Sequence, residues 1–201
     1  EMSRGLGDVY KRQVRSGSEY RTLEDSLDAA IAHTAFFRFY ARHIELDRSF
    51  KPGHYVLEPG MNVVQVARML KLGLQTPVRV TINNVRTRAQ LAGKLARQIE
   101  ADSATIVAAL TDPATARKAG FDSVTLFSMF IPDTYEFYWT VSPAQFIERM
   151  RREYDRFWTP QRDAKRQRSG LSRLEVMTLA SIVYEETRQT DEMPRIAGVY
   201  I

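Results

Sequence analysis

The glutamate at position 186 stands where a helical pattern calls for an apolar side chain. Ile182 and Val183 belong to an apolar stripe at helical spacing, and Glu186 follows one turn later on the same face. Burial there would raise the pKa of the carboxyl group by desolvation and keep its proton on at neutral pH, as a general acid requires. Alternatively, Glu186 is the solvated end of the helix or half of an ion pair, because long charged side chains usually reach water.

The helix that would carry Glu186 begins with a capping-box pattern, Ser-x-x-Glu, at Ser172 and Glu175. Its predicted buried stripe consists of Val176, Leu179, Ala180, Ile182 and Val183. Glu185 turns away from this stripe, toward the side of Ser181. The Ser181 hydroxyl could line a cleft, whereas a serine inside a helix more often bonds back to its own turn.

An aromatic stretch around Asp133 and Tyr135 is a second candidate for function. The aromatic residues near it are Phe130, Phe137, Tyr138 and Trp139. Sugar rings stack on aromatic side chains and sugar hydroxyls donate to carboxylates, so the stretch could form the wall of a glycan cleft. The other interpretation is a core-lining turn in which Asp133 bonds to the backbone.

Other chemistries are disfavoured by the residue types and their spacing. The chain has no cysteine, which excludes disulfides and thiolate metal sites. His33, His43 and His54 lack metal-ligand spacing, and the serines lack the glycine pattern of a nucleophile elbow. No glycine loop could cradle a phosphate. We therefore expect no metal and no cofactor.

The charge pattern bears on the partners. The 201 residues carry a net charge of +5, and a basic region with interleaved aromatic residues runs from Arg149 to Arg168. Such a region is suggestive of nucleic acid. Acidic residues interrupt it, at Glu148, Glu153, Asp155 and Asp163. We therefore favour a solvated helix face turned to an anionic wall or membrane, and expect no nucleic-acid partner.

The first part of the chain predicts a small α+β module. We expect a helix from Thr22 with Leu23, Leu27, Ala30 and Ile31 on one face, a helix over 35–43, a strand over 54–58, a helix capped by Asn62 and ended by Gly73, and a strand over 77–82. Asn83-Asn84 is a plausible domain boundary. Residues 1–13 show no clear period and are expected to be a non-native or disordered leader.

The second part of the chain is predicted to be mainly helical. We expect a helix from the Thr87–Gln90 capping box to about Glu100, then helices over 103–110, from Asp112-Pro113, and from Ser142-Pro143 to about Trp158. The polar, basic stretch Arg162 to Arg168 is expected to be a loop.

Three ordered blocks resemble the YceG-like endolytic murein transglycosylases, the MltG family. Residues 179–187 (LASIVYEET) with 191–201 resemble the family pattern L-A-S-I-V-E-x-E-T followed by I-A-x-V-F. Residues 130–137 resemble its F-x-P-D-T-Y, and 50–73 resemble its K-x-G-x-Y-x-L and G-M blocks. In the block at residues 179–187, the second acid of the family pattern falls on Glu186, and Tyr184 replaces the first acid.

The resemblance implies a lytic transglycosylase that cleaves the β-1,4 bond between N-acetylmuramic acid and N-acetylglucosamine in nascent peptidoglycan. It would leave 1,6-anhydromuramoyl ends and limit strand length. Glu186 would be the catalytic acid, with Asp133, Tyr135, Ser181 and Glu185 as substrate-binding candidates. The alternative is a non-catalytic protein that binds glycan through a LysM-like half.

The resemblance also implies an organisation and a location. Residues 14–83 would form a LysM-like α+β domain, and residues 84–201 the first part of the catalytic domain. The family implies a single membrane helix before these domains, in the bacterial inner membrane, with the catalytic domain on the periplasmic side. We expect this chain to lack that helix and the C-terminal part. Glycan strands and the cell-wall synthase complex are the implied partners.

Overall fold

The computed structural model describes residues 10–28, 31, 33–83 and 85–201. The strands are β1 (Tyr10–Val14), β2 (Gly53–Leu57), β3 (Val78–Ile82) and β4 (Asp133–Phe137). The helices are α1 (Tyr20–Asp28), α2 (Thr34–His43), α3 (Leu46–Ser49), α4 (Val63–Leu72), α5 (Arg88–Ala96), α6 (Ser103–Thr111), α7 (Pro113–Lys118), α8 (Pro143–Phe157), α9 (Pro160–Arg168), α10 (Arg173–Glu186) and α11 (Met193–Tyr200), with a 3₁₀ helix at Thr125–Met129. The predicted α+β class is confirmed. None of these helices is long and apolar enough to cross a membrane.

The chain divides into two compact units, and neither is one continuous stretch of sequence. The first unit takes up the described part of residues 1–81 with 92–103 and 134–142; the second takes up the described part of 82–91 with 104–133 and 143–201. The first change of unit, after Thr81, lies beside the boundary expected at Asn83-Asn84, of which Asn84 is outside the described residues. The LysM-like character of the first part stays a prediction.

The first strand lies in a region where no structure was expected. β1 pairs antiparallel with β2, so that Tyr10 is opposite Leu57 and Val14 is opposite Gly53. The disorder predicted for the leader is therefore wrong for residues 10–13, the alternative of a non-native leader stays a prediction, and residues 1–9 lie outside the described residues. Of the five side chains of β1 only that of Val14 is buried, so the strand depends on its backbone ladder with β2 and carries little apolar signal.

The strands on either side of α4 belong to different sheets. β2 pairs with β1, and β3 pairs with β4 in a second two-stranded sheet. The hydroxyl groups of Thr81 and Thr134 are 2.8 Å apart across this second sheet. The strand–helix–strand module that we expected is thus divided between two sheets, because the period of a strand shows that it is a strand but not which strand it pairs with.

The core of the first unit packs α1, α2 and α4 against β2. Leu23 and Leu27 are buried on one face of α1, as predicted, while Ala30 of the same predicted face lies outside the described residues. The ring of Tyr55 is fully buried, and its hydroxyl donates to the backbone oxygen of Lys51 at 2.8 Å. Burial raises the pKa of Tyr55 to about 12.

Both ends of α4 are fixed by the signals expected from the sequence. The Asn62 side chain accepts from the Gln65 backbone at 2.9 Å, and the Gln65 side chain accepts from the Asn62 backbone at 2.8 Å. Gly73 ends the helix in the left-handed conformation, with φ of 71°. A side chain at position 73 would also approach the Lys51 side chain, because a Cβ built there lies 3.0 Å from it.

Glu100 joins the separate segments of the first unit. Its backbone N–H donates to the Trp139 oxygen at 2.8 Å. Its carboxylate accepts from the backbone N–H and from the hydroxyl of Ser16, at 2.6 and 2.7 Å. The helix predicted through about Glu100 ends earlier, at Ala96, and Glu100 makes these tertiary contacts instead.

The core of the second unit is rich in aromatic residues. The rings of Phe130 and Phe146 stack with centroids 5.8 Å apart. The rings of Phe121 and Tyr154 meet edge to face at 5.4 Å. Arg151 covers the Phe121 ring at 5.5 Å from its centroid and donates to the Ala119 oxygen at 2.5 Å. The 3₁₀ helix packs against α8 and α10 and so links this core to the C-terminal helices.

The stretch predicted to be a loop at 162–168 is part of α9, so that prediction is wrong. Thr159 caps the helix by accepting from the Arg162 backbone at 3.3 Å, and Pro160 occupies the first turn. The helix buries no side chain. Asp163 holds it by accepting from Arg166 and Arg173, both at 3.0 Å. A helix held by its cap and ion pairs lacks the apolar period on which the prediction relied.

Candidate active site at the end of helix α10

The beginning of α10 is set by Ser172. Its hydroxyl accepts from the Glu175 backbone at 3.2 Å, and the Glu175 carboxylate accepts from the Ser172 backbone at 2.7 Å. The hydrogen bonds that the Glu175 carboxylate accepts from the Ser172 backbone and side chain lower the pKa of Glu175. The predicted capping box is confirmed. At the other end Thr187 is extended and donates its N–H to the Val183 oxygen at 3.1 Å, so Glu186 is the last helical residue.

The predicted burial of Glu186 is wrong. Within α10 only Val183 is buried, at 6% exposure, and the Glu186 side chain is exposed. Ala180 and Ile182 of the predicted stripe are exposed as well. Periodicity identifies one face of a helix, but burial requires a partner along the whole face, and here the covered part of that face extends no further than Val183. Glu186 thus lies at the solvated end of the helix, the alternative that the sequence left open.

The two carboxylates at this end differ in their contacts. Glu185 accepts from Arg86, with Nε donating to Oε1 at 3.3 Å and Nη2 donating to Oε2. The side chains of Arg86 and Glu185 are 69% and 46% exposed. Among the described residues, no ion pair or side-chain hydrogen bond engages Glu186. The arrangement leaves one carboxylate held by a guanidinium and its neighbour open to solvent.

Ser181 lies one turn before Glu185 and is exposed. Its hydroxyl donates to the Thr178 oxygen at 2.7 Å, within its own helix. This is the back-bonded arrangement that was the alternative to lining a cleft. A contact between Ser181 and substrate stays a prediction.

The structure places the two candidates of the aromatic stretch in different units. Asp133 is exposed, begins β4 and belongs to the second unit, as do Ser181, Glu185 and Glu186. Tyr135 belongs to the first unit, is only 7% exposed, and packs its ring near that of Phe137 at 6.4 Å between centroids. The burial of Tyr135 favours the core-lining interpretation for this residue. Substrate contacts by either residue stay predictions.

Comparison with known proteins identifies the family. The model of the YceG-like family matches residues 12–201, nearly the whole chain. The chain belongs to the YceG-like family. Its structure is similar to the crystal structure of the yceG-like protein lmo1499 from Listeria monocytogenes, with a TM-score of 0.53 over 92% of this chain and 67% of that chain, at 20% identity. A search of curated proteins gave no match.

Tyr184 stands at the position where the resemblance leads us to expect an acid. Its ring is stacked under Arg188, whose guanidinium carbon lies 3.9 Å from the ring centroid. The turn that follows is ordered by Thr187, which donates its hydroxyl to Glu192 at 2.8 Å and accepts from the Gln189 backbone at 3.0 Å. Glu186 thus stands between a cation–aromatic pair and a hydrogen-bonded turn.

Several arginines of the basic region are paired with acids of their own helices. On α8, three pairs at i and i+4 join Arg149 to Glu153, Arg151 to Asp155 and Arg152 to Glu148, at 2.6, 2.9 and 2.9 Å. On α9, Asp163 forms an ion pair with Arg166 at 3.0 Å. Pairs of this kind are typical of a solvated helix face.

Proposed function

We propose that this protein is an endolytic lytic transglycosylase that cuts nascent peptidoglycan strands and leaves 1,6-anhydromuramoyl ends. The observation that carries the proposal is the Glu186 carboxylate, which occupies the second acid position of the LASIVYEET block, is exposed, and is unengaged by any described side chain. An acid of this kind is free to meet a glycosidic oxygen.

The proposed reaction needs one carboxyl group. In the proposed first step, the acid form of Glu186 gives its proton to the oxygen that leaves with N-acetylglucosamine as the bond to C1 of N-acetylmuramic acid breaks. The C6 hydroxyl of the same muramoyl residue then bonds to C1, and the Glu186 carboxylate takes the hydroxyl proton. Because the sugar supplies its own nucleophile, the paired carboxylates of ordinary glycosidases are not required. This second transfer regenerates the acid form of Glu186, so the protons balance over the cycle.

The proposal extends to where the reaction takes place. We infer a protein anchored in the bacterial inner membrane by a single helix, with its catalytic part on the periplasmic side and the cell-wall synthase complex as its neighbour. Cutting inside strands as they are made would limit their length. Fractionation of cells followed by detection of the protein with the membrane, and its recovery with a cross-linked synthase, test these two points.

The deciding experiment is mass spectrometry of uncrosslinked glycan strands after incubation with the protein. We expect anhydromuramoyl ends from the parent and a loss of at least about a hundredfold in Glu186→Gln, because removing a general acid costs roughly 10²–10⁴ in rate. Glu148→Gln is the matched control. This exposed glutamate pairs with Arg152 on α8, and its variant should cleave like the parent.

The other outcomes separate the alternatives. Reducing ends in place of anhydro ends would mean hydrolysis and a second carboxylate, which contradicts the proposal. Strands that are retained by the protein but left whole, with Glu186→Gln behaving like the parent, would assign the protein to non-catalytic glycan binding by a LysM-like half.

A further inference from the structure

The C-terminal end of α10 concentrates negative charge. Glu185 and Glu186 occupy its last two positions, and no basic residue lies in its last turn. The free carbonyl groups of a helix give this end a partial negative charge of their own, so two carboxylates here are unfavourable and promote fraying of the turn. A cation from elsewhere in the fold would counteract this effect.

Arg86 supplies that cation from a distant part of the sequence. It precedes α5 and reaches Glu185 across 99 residues of chain, within the second unit. Two of its nitrogens face the two oxygens of Glu185, and such a fork fixes orientation as well as charge. Arg86 is itself anchored, since its backbone N–H donates to the Gln90 side chain at 2.9 Å and Gln90 donates to Thr87 at 3.1 Å.

We propose that Arg86 is a positioning residue for Glu186, acting through Glu185; the inference rests on the proposed function. The ion pair holds the last turn of α10 from one side while Val183 anchors it from the core, and together they set the direction of Glu186. The pair also occupies Glu185, which therefore serves as the anchor of the catalytic turn, while substrate binding by Glu185 stays a prediction.

Kinetics of strand cleavage test the proposal. Arg86→Ala should lower kcat roughly tenfold and leave KM within about twofold, since misplacing a catalytic group by 1 Å can cost up to a hundredfold. The unfolding midpoint should stay the same, because exposed ion pairs contribute little to stability. The exchanged pair, Arg86→Glu with Glu185→Arg, should restore at least half of the lost kcat. Arg152→Ala breaks a comparable exposed pair on α8 and is the matched control, expected to cleave normally.

Amide hydrogen exchange provides a second readout that does not depend on cleavage. The Thr187 N–H, bonded to Val183, should exchange about two- to fivefold faster in Arg86→Ala, the range that an exposed ion pair can supply, and return to the parent rate in the exchanged pair. If the parent and Glu186→Gln are equally inactive, the proposed function fails, and exchange alone decides whether Arg86 holds the turn.

Two results would overturn the inference. Unchanged Thr187 exchange in Arg86→Ala would mean that the ion pair does not hold the turn. Restored exchange with kcat still low in the exchanged pair would mean that Arg86 or Glu185 touches the substrate itself, so that the pair does not act by positioning Glu186.

Discussion

The anchoring of α10 by a single buried valine gives a prediction whose size follows from the structure. Val183→Ala removes two methyl-sized groups from a site that is 6% exposed. At about 0.8 kcal/mol for each buried carbon, the lost transfer free energy is about 1.6 kcal/mol, and the cavity adds up to about 1 kcal/mol. Alanine is the better helix former by roughly 0.6 kcal/mol, which leaves a net destabilisation of about 1–2 kcal/mol.

The matched control is Val199→Ala, the same substitution in α11 at a site that is 82% exposed. This variant should be neutral or stabilised by up to about 0.5 kcal/mol, because only helix propensity changes. The difference between the two variants should be about 1–2.5 kcal/mol.

The assay is urea unfolding followed by the fluorescence of Trp158, in a common Trp139→Phe background so that only the second unit is observed. Trp158 is 7% exposed and lies beside Tyr154 in that core. Equal slopes of free energy against urea would show that the same surface unfolds in both variants. A difference below about 0.5 kcal/mol would refute the reasoning, because Val183 would then not be the anchor of this helix.

Two more substitutions test the ends of the helices around the site. The bonds from Arg173 and Arg166 lower the pKa of Asp163 from 3.8 to about 2, so the charged form stabilises the fold above pH 3.8 and this contribution is lost as the pH falls toward 2. Asp163→Asn should therefore lower the urea midpoint at pH 7, and the difference in midpoint between variant and parent should disappear as the pH approaches 2. A difference in midpoint that does not change with pH would contradict this reasoning. Ser172→Ala should destabilise by about 1 kcal/mol through loss of the cap. Ser181→Ala, in the same helix, is its control and should change stability by less than about 0.5 kcal/mol; equal losses in the two serine variants would contradict the cap argument.

The features that could be predicted from the sequence are those that depend on residues close together in the chain. The Ser172 capping box, the Asn62 cap and the left-handed Gly73 are local, and each was found at the expected residue. The helical period also placed Glu186 one turn beyond Val183, which is where the structure has it. Whether Glu186 is buried depends on what packs over that turn, which no local pattern contains.

The features that were missed depend on distant contacts. β1 exists because β2 lies beside it, and its own residues alternate too weakly to show a strand. The pairing of Arg86 with Glu185 joins residues far apart in sequence, each ordinary in its own surroundings. The start of α9 could have been predicted from Thr159 and Pro160, because a cap followed by proline is a helix-start signal even without an apolar face.

The return of the chain to its first unit has a consequence for how the protein is made. β3 pairs with β4, and the Glu100 N–H bonds to Trp139, so the first unit is complete only when residues up to Ser142 have left the ribosome. β1, β2 and α4 all lie within the first 72 residues and can assemble before then, while β3 must wait with the edge that β4 later covers still unpaired. Unpaired strand edges attract other chains, so the half-synthesised protein, more than the finished one, is the form that needs shielding from aggregation.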